Sequence, residues 1–169
     1  MAEVLLRAHL DARGVLARVR SAGTLAWGGG ATDHAAAVMR ERGLALDGHR
    51  SRALAREDVQ VADLVLGMTR EHVWAAARLD EDATERAFLV GELARLGRSV
   101  GARRVDEGES VRAWTARVAA ARRDGRVGRA GDDVADPLGE PIEVYRATAA
   151  RLDRDLAVIA ELLVPSAEA

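Results

Sequence analysis

The chain has 169 residues, 49% of them apolar, with a net charge of -2 and a pI near 6.1. That length suits a single domain with its own core, and the balance of charge offers no electrostatic case for nucleic acid or anionic membranes. The sequence contains no cysteine, which excludes disulfides, thiolate catalysis and cysteine-ligated metal within these residues.

Ala2 to Arg13 reads as an amphipathic helix with Leu5, Ala8 and Ala12 on one face and Gly14 as its stop. It begins at Met1 with no strand before it, although a first helix in an α/β protein normally follows the strand it packs against. Val15 to Val19 is expected to form a strand running into Ser21-Ala22-Gly23-Thr24. Leu25 to Thr32 is a loop with Trp27 and three consecutive glycines. Asp33 is expected to cap a helix through Arg42, ended by Gly43. A loop from Leu44 to Arg52 carries His49-Arg50-Ser51-Arg52, and a short helix follows from Arg56 to Val61.

Val61-Ala62-Asp63-Leu64-Val65-Leu66-Gly67-Met68 is a short apolar run of the kind buried on both faces in a parallel sheet. Thr69 stands where a helix N-cap belongs and Glu71 puts negative charge in the first turn, predicting a helix to about Leu79. Strand, turn and helix start make up the unit from which α/β ligand sites are built, at the carboxyl edge of the sheet. Arg86 to Val90 is expected as another strand, Glu92 to Leu96 as a helical turn, and Gly97 to Gly108 as a flexible polar connection. Ser110 caps a helix with Val111, Trp114, Val118 and Ala121 on its apolar face, and Gly125 to Gly131 is a glycine-rich loop. The last helix, with Pro141 near its first turn, spaces Ile142, Tyr145, Ala149, Leu152, Leu156, Ile159 and Leu163 by threes and fours. Core packing explains that stripe better than a dimer seam does. No apolar run approaches the about 20 residues of a membrane span, and no signal peptide opens the chain, so a soluble cytoplasmic protein is expected.

Few residues stand out chemically. Proline pushes Asp136 out of helical geometry into an extended conformation, as a general acid on a loop requires. On spacing alone, ordinary turn chemistry is the favoured reading of Asp136-Pro137 with Gly139 soon after. Trp27 beside Gly28-Gly29-Gly30 reads as a pocket wall or as part of a mobile loop, and the glycines lack the lysine of a phosphate-binding loop. His9, His34, His49 and His72 form no pair at ligand spacing, so no metal site and no cofactor is expected.

Taken in order, Met1-Ala2-Glu3-Val4-Leu5-Leu6-Arg7, Ser21-Ala22-Gly23-Thr24, His49-Arg50-Ser51-Arg52, Ala62 to His72 and Asp133-Val134-Ala135-Asp136-Pro137-Leu138-Gly139 resemble the low-molecular-weight protein-tyrosine phosphatases. The resemblance implies one domain over 1–169, with a variable insertion around 97–130. It implies a three-layer α/β fold with a parallel sheet in the order 2-1-3-4, and hydrolysis of phosphotyrosine through a phosphocysteine. By that resemblance Asp136 is the general acid and then the base, Trp27 and Leu138 border the substrate, and Ser21 and His49 brace the phosphate loop. Leu138 stands where many members carry tyrosine. The implied partner is a phosphotyrosine protein or a small aryl phosphate, with no nucleic acid or membrane.

In that family the Met-Ala-Glu segment follows a strand and a loop of the form Cys-x-x-Asn-x-Cys-Arg-Ser-Pro. The resemblance therefore implies that the nucleophile, the phosphate-binding arginine and the central first strand lie outside these residues. Three expectations follow: a start placed too late, no turnover by the chain as written, and an incomplete sheet that invites self-association. A non-catalytic remnant or binding module is the alternative, and an arsenate-reductase-like protein a further one.

Overall fold

The computed structural model describes residues 1–25 and 28–165. The helices are α1 (Ala2–Asp11), α2 (Asp33–Arg40), α3 (Arg56–Val61), α4 (Arg70–Leu79), α5 (Val90–Val100), α6 (Val111–Ala119) and α7 (Ile142–Leu163). Two strands, β1 (Val65–Gly67) and β2 (Ala87–Leu89), pair in parallel with Val65 opposite Ala87 and Gly67 opposite Leu89.

The two faces of this ribbon build two cores, because successive strand residues point to opposite sides. Phe88 packs with the buried side chains of α1, α2, α5 and α7, and Leu66 packs against the same cluster. Ala87 and Leu89 turn the other way, to Val59 of α3 and Val73 and Ala76 of α4, with Val65 beside them. Helix, sheet, helix is the expected three-layer α/β arrangement. The β1–β2 pair answers to the last two strands of the expected order, and among the described residues no strand pairs with the other edge of β1.

Val15 to Val19 is not a strand. The segment is irregular and Leu16 is fully exposed. A strand is defined by its ladder partner, and among the described residues nothing runs beside this one; nearby, Gly23 and Ala53 make only an isolated parallel bridge. The strand at Val61 to Met68 shrinks to Val65–Gly67, and that at Arg86 to Val90 to Ala87–Leu89. The expected turn at Glu92 to Leu96 is the middle of α5, which runs on into the supposed connection as far as Val100. It does so because Leu93, Ala94 and Gly97 share one buried face and Gly97 lies against Trp114 and Leu162.

Helix ends follow their local chemistry. At Gly14, φ +71, the Val15 amide reaches Leu10 O and the Gly14 amide reaches Asp11 O, and Gly43 closes α2 in the same way. The N-cap of α2 is Thr32, not Asp33: Thr32 Oγ1 accepts from the Ala35 amide at 3.3 Å, leaving Asp33 as first-turn charge. On α1 the buried residues are Leu5, Leu6 and Leu10, whereas Ala12 is exposed. Ser110 caps α6 as expected, accepting from the Ala113 amide at 3.1 Å. The α7 stripe from Tyr145 to Leu163 is buried in the main core.

Candidate active site

In open parallel sheets ligands bind outside the carboxyl ends of the strands, here the end of β1. There β1 passes through Met68 and Thr69 into α4, and the amide of Thr69 donates to His72 Nδ1 at 3.2 Å, fixing the first turn. The segment leading to Asp136 is fastened to this junction. Val134 N–H donates to Met68 O at 2.8 Å. One Asp133 oxygen accepts from the Arg70 amide at 3.2 Å and the other from the Arg70 guanidinium at 2.9 Å. Asp132, buried, accepts from Arg95 at 2.6 Å and from the Arg129 amide at 2.9 Å.

Beyond these anchors the chain turns outward. Asp136 is exposed and its Oδ1 accepts from the Leu138 amide at 3.0 Å, while Pro137 is buried and Leu138 is 63% exposed. The dipeptide closes a turn, and that turn leaves Asp136 Oδ2 without a hydrogen-bond partner among the described residues.

A second group forms at the first turn of α1. The Ser21 hydroxyl donates to Glu3 Oε2, and Arg7 donates to Glu3 Oε1 at 2.5 Å and to Val19 O at 2.9 Å. Partial burial disfavours the charged Glu3 carboxylate. The hydrogen bonds from Ser21 and Arg7, with the nearby charges of Arg7 and His49, outweigh it and hold the group below its usual range. The segments at 21–23, 28–30 and 49–54 are tied to one another: Ser51 N–H donates to Gly29 O at 2.8 Å, Gly23 N–H to Arg52 O at 2.9 Å, and Arg52 pairs with Asp58.

Of the residues singled out from the sequence, Ser21 bonds to Glu3, His49 is near enough for its charge to act on that carboxyl, and Asp136 and Leu138 share the turn beyond β1. Among the described residues no hydrogen bond joins the two groups. Trp27 lies outside the described residues. Sequence reasoning missed the anchors Arg70, Asp132, Asp133 and Arg95, and it gave Glu3 no role. The acidic doublet just ahead of Asp136 was a visible signal, but its partners are 37 and 63 residues away in the chain. Among the described residues no three His, Asp or Glu side chains are grouped to hold a metal, and no helix is long and apolar enough to cross a membrane.

The chain resembles known proteins over most of its length. It is 29% identical over 164 residues to a protein-arginine-phosphatase of Bacillus subtilis, spanning 96% of this chain and 87% of that one. It is 30% identical over 146 residues to a protein-arginine-phosphatase of Geobacillus stearothermophilus, spanning 86% and 76%. The solved structure of a low molecular weight protein tyrosine phosphatase from T. tengcongensis superposes with a TM-score of 0.69 at 27% identity, covering 96% of this chain and 88% of that one. Residues 1–98 match the model of the family described as low molecular weight phosphotyrosine protein phosphatase, and the chain belongs to that family.

Proposed function

We propose that these 169 residues supply the acid-bearing and bracing parts of a phosphatase site, and that turnover depends on a thiol they do not contain. The observation that carries this reading is Asp136: exposed, held by one oxygen and open at the other, on a loop fastened to the carboxyl end of β1. Phosphoryl transfer needs positioning and charge stabilisation more than covalent work from the protein. A thiolate would attack phosphorus, the bond from phosphorus to the leaving atom would break, and the proton on Asp136 would pass to that atom. Water would then attack the thiophosphate, giving its proton to the Asp136 carboxylate and releasing phosphate and the thiolate. Without a cysteine the first step has no nucleophile.

The substrate class we infer is a phosphorylated protein side chain, with phosphoarginine first. Two relatives at 29% and 30% identity carry that activity in their names. Leu138, beside the acid, offers a substrate no aromatic face to stack on a phenol ring. Phosphotyrosine, the substrate in the family's description, is the second reading.

Phosphate release from phosphoarginine, phosphotyrosine and para-nitrophenyl phosphate tests both points. The 169-residue chain should release none above buffer. The same chain preceded by a cysteine-bearing strand and phosphate loop should turn over, and Asp136→Asn should lower that rate about 100-fold or more. Turnover by the cysteine-free chain, or indifference to Asp136→Asn, would overturn the proposal; the ratio between the two amino-acid substrates ranks them.

A further inference from the structure

Arg70 holds two segments at once. Its Nε donates to Val127 O at 3.1 Å, its Nη1 to Asp133 Oδ2 at 2.9 Å, and its own amide to Asp133 Oδ1 at 3.2 Å. One residue at the start of α4 thus ties the glycine-rich loop on one side to the stretch ahead of Asp136 on the other. The Val134 amide, bound to Met68 O, adds a fixed point at the end of β1. Asp136 lies two residues beyond that point, and Pro137 behind it is buried. The backbone is therefore anchored two residues before the acid, and a buried proline follows it.

We propose that Arg70 and Asp133 are positioning residues for Asp136: their ion pair sets where the acid stands relative to the carboxyl end of β1, and so how well it meets the leaving atom. The proposal rests on the reading of Asp136 as the acid. A charge-assisted pair with two contacts on one carboxylate fixes direction as well as distance. Proton transfer in the transition state is sensitive to both, since a displacement of about 1 Å can cost on the order of 100-fold. Their contacts are with one another and with the Val127 carbonyl, so they act through the backbone of residues 133 and 134.

Two measurements test the pair. In the chain completed with the cysteine-bearing segment, Asp133→Asn and Arg70→Met should each lower kcat/KM, which reports the step that expels the leaving group, about tenfold or more on phenyl phosphate. On dinitrophenyl phosphate, whose leaving group departs without a proton, the loss should stay within about twofold. Arg70→Lys keeps the charge but not the fork, and should restore only part of the rate. Equal losses on both substrates would mean that the pair merely supports the fold, and would overturn the proposal. In the 169-residue chain itself, both variants should speed hydrogen exchange at the Val134 amide about tenfold, leaving Phe88 and Leu89 amides unchanged. Unchanged exchange at Val134 overturns the proposal whatever the activity. An inactive completed parent would instead sink the reading of Asp136, and exchange would still decide whether the pair holds the loop.

Discussion

Arg122 donates to Glu92 at 3.0 Å with both side chains buried, and its guanidinium lies 4.3 Å from the centre of the Phe88 ring. The same guanidinium donates to Thr84 O at 2.7 Å and Ala87 O at 2.6 Å. Glu92 in turn accepts from the amides of Leu89 and Gly128, at 3.2 and 3.0 Å. A charge pair removed from water this completely is held by the number of its hydrogen bonds, and losing one partner strands the other.

Arg122→Met should destabilise the fold by about 3–5 kcal/mol, because Glu92 is left charged and buried. Adding Glu92→Leu should recover only part, since the Leu89 and Gly128 amides lose their acceptor. Urea unfolding of the three chains measures both steps. A loss below about 1 kcal/mol for Arg122→Met would put the pair in the class of surface contacts and contradict its burial.

The Glu109 carboxyl is pulled down from its ordinary 4.5 to about 2, chiefly by the Arg117 guanidinium. Burial opposes the shift, while the Arg104 amide and the charges of Arg117 and Arg104 assist it. Arg117 bonds both oxygens, at 2.9 and 3.0 Å, and also the carbonyls of Val100 and Ala102, so the pair ties the end of α5 to α6. A carboxyl with a lowered folded pKa stabilises the fold above its unfolded value and loses that contribution as pH falls. Stability should therefore decline from pH 4.5 towards about 2, and Glu109→Gln should flatten that slope. Thermal melts across this range for both chains provide the check; parallel slopes would contradict the assignment.

Gly128 sits at φ +67, and a Cβ there would lie 2.5 Å from Leu89 Cδ1 in the smaller core. Gly108 has a similar φ of +74 with nothing within 4 Å of the same position. Gly108→Ala should cost only the left-handed backbone term, about 1–2 kcal/mol. Gly128→Ala should cost more than that, because buried Leu89 must also move. Comparing the two by denaturant unfolding isolates the contact, and equal losses would show that Leu89 gives way freely.

The features legible in the sequence are those a few neighbouring residues decide. Glycine at 14 and 43 ended helices, Ser110 capped α6, and the steps of three and four from Tyr145 to Leu163 marked the buried face of α7. The apolar run ending at Gly67 located β1, and the order of short motifs carried the family. All of these rest on local backbone preference or on helical period.

Tertiary structure decided whatever required a distant partner. Val15 to Val19 had the composition of a strand and remained irregular, because composition cannot supply a ladder and no strand lies beside it among the described residues. The residues that fasten the acid loop were hidden for the same reason. Arg70 meets Asp133 across 63 positions and Arg122 meets Glu92 across 30, and with 25 basic residues in the chain no rule of spacing picks out those pairs. The sequence alone determined the helices marked by a cap, a glycine stop or a long apolar stripe, and which family the chain resembles. Folding alone decided which distant charges meet, because those ion pairs are chosen by packing in space rather than by proximity along the chain.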